Sequence, residues 1–267
     1  MNGRTDRQQN RTEKCGTAQR SRAAVSSKIG ATGDTACAEV RSYRQSGEQT
    51  GMNPGTNARI AGACIASIAW AGLAIQFIAS YQQSTSALLT LWTVFAYFTI
   101  TTNLLVAAVF SGIAAKRTGP PAQTPQISSA WIVGGTMLSI LLVGVIYALL
   151  LHGTSELSGG SVVANVLLHM VTPILVPLFW IVFTPKGELT WRHPLLWAIY
   201  PLAYLVYALA RGGATGRYAY PFMNVLRLGW PQTALNSAVI AIAFLLSGFA
   251  IVWIDHRTGL GSAASTG

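Results

Sequence analysis

From residue 58 onward, long apolar stretches alternate with short polar ones. Six apolar stretches lie at roughly 60–80, 88–114, 129–151, 161–183, 194–210 and 232–254, each near the ~20 residues that a tilted bilayer-spanning helix requires. Backbone inside hydrocarbon must satisfy its own hydrogen bonds, so the stretches are read as helices and not as strands. The fifth stretch is the shortest and contains Pro201. The pattern predicts an all-α, polytopic integral membrane protein with six transmembrane helices, the plasma membrane being its place if the source is bacterial. Residues 1–57 have the opposite character, rich in Arg, Ser, Thr, Gln and Gly. Such a segment cannot bury enough surface to offset its ordering entropy, so it is expected to be disordered. It also lacks the apolar stretch of a signal peptide. Met52-Asn-Pro-Gly leads directly into Arg59 and the first apolar stretch, so two readings stay open: a native polar tail, or Met52 as the true start with residues 1–51 an upstream extension of the reading frame. The division expected is a polar tail at 1–57, a transmembrane domain at 58–255 and a short flexible tail at 256–267.

Charge sharpens this picture. Only 10% of the residues are charged, against roughly 25% in soluble domains. The net charge of +10 divides into +4 on residues 1–57 (nine Lys or Arg against five Asp or Glu) and +6 on the remainder. No basic helix or aromatic-interleaved patch accompanies it, so no nucleic-acid partner is expected. Arg59, Lys116, Arg117, Lys186, Arg192 and Arg257 flank one side of the predicted helices, and the loops after the first and third helices hold no Lys or Arg. The positive-inside rule then makes both termini cytoplasmic. One connection breaks the rule: residues 211–231 fall outside yet carry Arg211, Arg217 and Arg227. Pro120, Pro121 and Pro125 mark an irregular inner connector. Cys15, Cys37 and Cys64 have neither metal-ligand spacing nor an even count. No disulfide framework, metal or cofactor is expected, nor is a protein partner evident.

Candidate chemistry centres on the fourth stretch, SVVANVLLHMVTPILVPLFWIVF at 161–183. His169 is an ionisable group well inside an apolar span, which marks a candidate functional site. Asn165 and Thr172 share its helical face. Pro173 withholds the N–H that the His169 carbonyl would normally accept, so a bend is expected beside it. A rise of about 1.5 Å per residue puts His169 roughly 12 Å and Thr99 roughly 15 Å below the outer surface. Thr99, Thr102 and Asn103 form one face of the second helix, and Tyr200, Tyr204, Tyr207 and Arg211 align along the fifth. Threonines in spans also serve merely to bond their own helix or a neighbour. Tyrosines and tryptophans such as Trp92, Tyr147 and Trp180 read as interfacial belt residues. Neutral imidazole is nevertheless a suitable base for a threonine hydroxyl. Asn103, Asn165, Thr102 or a tyrosine could orient the ring or donate to an oxyanion. No acid lies at this depth to complete a triad.

Three segments, YFTITTNLL at 97–105, LLHMVTPILVP at 167–177 and TGRYAYPF at 215–222, resemble the androgen-induced and androgen-dependent TFPI-regulating proteins and their bacterial relatives. The resemblance spans about residues 58–254. It implies an intramembrane threonine hydrolase of lipid-like esters, such as esters of fatty acids with hydroxy fatty acids. It assigns Thr99 as nucleophile and His169 as base, and matches Tyr220, Pro221 and Phe222 to an outer-loop motif. Gly212 and Gly213 stand where animal members carry two histidines, which leaves the substrate open. Arg211 and Arg217, with Tyr204, Tyr220 and Phe222, are candidates for receiving a carboxylate or headgroup. Two other readings stay open. One is a transporter or lipid-binding protein with a polar outer cavity, and the other is a haem protein using His169 and His152.

Overall fold

A computed structural model describes residues 54–84, 86–115, 130–153 and 158–264. The expectations for residues 1–53, Cys15 and Cys37, and the proline-rich connector at 116–129 therefore lie outside the described residues. Every regular element among those described is helical. Helix α1 spans Pro54–Ser84, α2 Ala87–Val94 and α3 Phe98–Ala115. Helix α4 spans Ala130–Ile146 and ends in a π turn, Tyr147–Leu151. The next span is α5 (Gly160–Val166), a π turn (Leu167–Val171) and α6 (Thr172–Phe183). Helix α7 covers His193–Thr215 and α8 covers Val225–Ala264, with Gly229 at φ 75° separating a short first turn from the rest. Among the described residues, six helices are long and apolar enough to cross a membrane, so the predicted membrane class stands.

The second predicted stretch is not one helix. Residues 95–97 interrupt it between α2 and α3, so Thr99 lies in the first turn of a helix and not in the middle of one. No Gly or Pro marks the break. Its freed carbonyls are taken by side chains of α7: Tyr204 donates to the Ala96 carbonyl at 2.6 Å and Arg211 Nη2 to the Trp92 carbonyl at 2.9 Å.

Helix α1 packs along α3, and α4 packs against α6 and α3. Together with α8 they share a core that holds Val106, Phe110, Ile140, Val176 and Val252, all effectively inaccessible. Glycine sets the closest approaches. A Cβ on Gly144 of α4 would stand 2.8 Å from the ring of Pro173, so α4 can lie against the start of α6 only without a side chain there. At the end of the bundle carrying residues 184–192, Asp255 of α8 is fully buried. Its Oδ2 accepts the N–H groups of Gly187 (2.9 Å) and Leu189 (3.0 Å), fastening that loop to α8. Lys186 nearby donates to the carbonyls of Trp180 and Thr184 and sits 4.0 Å over the Trp180 ring. Burial pushes its ammonium pKa below the ordinary lysine value, with Asp255 opposing the shift.

Candidate functional site

Pro173 shapes the site before any contact forms. It has no N–H, so the preceding turn cannot close as a regular α-turn. The chain answers with the π turn at 167–171, in which the Thr172 N–H bonds back to the Leu167 carbonyl. That shift leaves the Leu168 carbonyl without a backbone donor, because the residue five further on is Pro173. Two side chains supply what is missing: Asn103 Nδ2 at 3.1 Å and Thr172 Oγ1 at 3.3 Å. π turns inside helices recur at functional sites, and here the turn carries His169.

His169 projects toward α3. Its Nε2 lies 3.0 Å from Thr99 Oγ1, and its Nδ1 lies 3.3 Å from the Asn165 carbonyl. A carbonyl can only accept, so Nδ1 carries the proton and Nε2 is left bare to accept the threonine hydroxyl. Orientation of the ring thus comes from the Asn165 backbone. The Asn165 side chain is engaged elsewhere, donating to the Tyr147 hydroxyl at 2.6 Å. Tyr147 in turn lies against the imidazole, with ring centroids 4.6 Å apart and planes tilted by 31°. The expected belt residue is therefore a wall of the site.

Asn103 is fully buried and fully bonded. Besides its bond to Leu168, its amide donates to the Thr99 carbonyl (2.9 Å), and its oxygen accepts from Thr172 Oγ1 (2.8 Å). It thereby joins the peptide carrying Thr99 to the one preceding His169. Thr102 turns the other way, toward the Tyr200 hydroxyl at 3.1 Å, and Tyr200 donates to Thr101 at 2.9 Å.

The remaining predicted residues divide. Tyr220, from the loop after α7, is buried and brings its hydroxyl to Thr99 and Tyr204. Burial holds its phenol above the ordinary pKa. Phe222 stacks on Tyr220 at 5.2 Å and 10°. Arg211 is committed to Trp92, bonding its carbonyl and covering its ring at 4.7 Å. Arg217 has an exposed side chain and is not brought to Thr99. Among the described residues no group of His, Cys, Asp and Glu could hold a metal ion.

Two features had no readable signal in the sequence. One is the start of α3: the first N–H groups there to find a backbone acceptor are those of Ile100 and Thr101, both on Tyr97. The N–H groups of Phe98 and Thr99, which come before them, meet the buried Tyr220 hydroxyl instead of a backbone carbonyl. The other is a partly open cavity of about 110 Å³ that reaches Thr99, Tyr204 and Tyr220 from between α4, α7 and α8. No family model, curated protein or solved structure matches this chain. What the site can do follows from its geometry.

Proposed function

We propose that this protein is an intramembrane hydrolase of lipid-like esters, with Thr99 as nucleophile and His169 as general base. The observation that carries the reading is the 3.0 Å contact between Thr99 Oγ1 and a bare His169 Nε2 at the wall of an apolar cavity. In the reaction, Nε2 takes the hydroxyl proton as Oγ1 attacks the ester carbonyl. The new oxyanion forms beside the Tyr220 hydroxyl, which lies on the N–H groups of Phe98 and Thr99 at the positive end of α3 and can donate its own proton to that oxygen. Collapse of the tetrahedral intermediate breaks the ester C–O bond, and His169 returns the proton to the departing alkoxide. Water, deprotonated by the same nitrogen, then attacks the acyl-threonine, and His169 hands that proton to Oγ1 as the acyl C–Oγ1 bond breaks, releasing the acid and restoring the Thr99 hydroxyl.

The segments that carry the family resemblance, 97–105, 167–177 and 215–222, are the ones that meet around Thr99. No carboxylate takes part: the backbone carbonyl of Asn165 does the orienting. Loop charges put the site in the outer leaflet with both termini cytoplasmic, so the substrate enters from that leaflet. Purified protein in detergent, treated with a fluorophosphonate probe, is expected to label at Thr99 and to hydrolyse a lipid ester. Thr99→Ala and His169→Ala each lose both activities, by at least ~100-fold for the loss of the base. Unchanged turnover in either variant would overturn the assignment. Lipid binding with no turnover and no labelling would favour the rival reading of a lipid-binding protein or transporter, which the apolar lining of the cavity also suits.

A further inference from the structure

The cavity beside Thr99 has a polar end and a dry end. Thr99, Tyr204, Tyr220 and Ser237 line its polar end, on the side of the loop after α7. The opposite end, its floor, is lined by Val143 of α4, Ala198 of α7 and Phe244 of α8, all buried. The two ends are separated by six residues along α7, from Ala198 to Tyr204, and by seven along α8, from Ser237 to Phe244. At about 1.5 Å per residue, the floor lies roughly 9–11 Å from the polar end.

Its size selects the occupant. A space of about 110 Å³ is on the scale of the ~150 Å³ apolar cavity that admits a benzene ring. One unbranched alkyl chain fits such a slot lengthwise, whereas two chains side by side or a sterol do not. We infer that this cavity receives the acyl chain of a single-chain ester, carbonyl at Thr99 and methyl end against Val143, Ala198 and Phe244, and that these three residues set acyl-chain length. Resting on the hydrolase reading, the inference adds a chain-length class to it. C–C bonds of about 1.5 Å advance roughly 1.3 Å each along an extended chain, so about eight carbons reach the floor. Shorter chains leave the floor uncovered, and longer ones must bend or withdraw the carbonyl from Thr99.

The test uses full-length protein with p-nitrophenyl butanoate, octanoate, dodecanoate and hexadecanoate. The octanoate is expected to have the highest kcat/KM. Ala198→Leu, which raises the floor, shifts the preference toward butanoate. Phe244→Ala, which lowers it, shifts the preference toward dodecanoate. Each methylene gained or lost in contact is worth about fourfold, so the ratios move by about tenfold or more. In parallel, binding of the four matching carboxylates to Thr99→Ala protein is measured by native mass spectrometry. That arm separates the two proposals: absent turnover with octanoate-selective binding sinks the hydrolase and keeps the chain-length slot. A flat length profile in both arms, or one unmoved by folded Phe244→Ala protein, overturns the slot itself. Folding is checked by thermal melting, and Phe244→Ala keeps the test decisive if Ala198→Leu fails to fold.

Discussion

Replacing Asn103 and Thr172 together is expected to cost slightly less than the two single changes added. The Leu168 carbonyl has no backbone donor, and Asn103 and Thr172 both reach it, while Thr172 also donates to the buried Asn103 Oδ1. Asn103→Leu removes the amide's bonds to Thr99, Leu168 and Thr172 but leaves Thr172 to serve Leu168. At ~0.6 kcal/mol per side-chain bond inside a transmembrane bundle, it should lose about 2 kcal/mol. Thr172→Val removes fewer bonds, worth about 1 kcal/mol, and strands Asn103 Oδ1 in a water-poor interior for about 1–3 kcal/mol more. The double variant has no Oδ1 to strand, but it strands the Leu168 carbonyl for the same about 1–3 kcal/mol. The two stranded oxygens offset, and the bond that Asn103 and Thr172 share is lost once instead of twice, so the double variant should fall about 0.6 kcal/mol below the sum. Unfolding by dodecyl sulfate in mixed micelles, followed by the fluorescence of the eight tryptophans, gives the three free-energy differences. A double variant well above the sum would mean that Asn103 Oδ1 finds another donor in Thr172→Val, and one about 2 kcal/mol or more below it would mean that another donor serves Leu168, against the π-turn geometry.

Further outcomes follow from other contacts. Gly144→Ala puts a methyl 2.8 Å from the Pro173 ring, an overpacking expected to cost about 1–3 kcal/mol in the same micelle assay and to lower activity with it. A neutral result would mean that α4 and α6 separate without strain. Asp255→Ala strands two backbone N–H groups, at about 1–3 kcal/mol each; protease nicking at 184–192 should rise and the melting temperature fall. Arg211→Ala removes a carbonyl bond and a ring contact, worth roughly 1–2 kcal/mol together, whereas Arg217→Ala, being exposed, stays within about 0.5 kcal/mol. Equal effects from the two arginines would undo the distinction drawn between them. Thr99→Ser keeps a hydroxyl for His169 and should retain fluorophosphonate labelling that Thr99→Ala loses.

The spans were legible because an 18-residue apolar run admits few other interpretations. Thr99 and His169 could be placed at one depth because helix rise and loop charge suffice for an axial coordinate. The azimuth was out of reach, and so was the break at 95–97. The segment WTVFAYF contains no residue that stops a helix by local chemistry. What stabilises the break is a phenol and a guanidinium from more than a hundred positions away, Tyr204 and Arg211, which bond the exposed carbonyls. That also accounts for one of the three arginines that break the charge rule. Asn165 was placed beside His169 for its side chain, yet its backbone makes the contact. A sequence pattern lists side chains, and a carbonyl belongs to every residue alike.

The π turn at 167–171 gives the fourth span a constraint on residue count as well as on residue identity. A π turn is an α-helix with one residue in excess. Deleting any one residue there would restore an uninterrupted hydrogen-bond ladder up to Pro173, a locally favourable repair. It would also rotate one side of the helix by about 100° relative to the other. With Val176 and Phe179 held in the core, the imidazole would swing off Thr99. With the imidazole held, those core residues would face lipid. Single-residue deletions in this pentad should therefore be far more damaging than substitutions at the same positions.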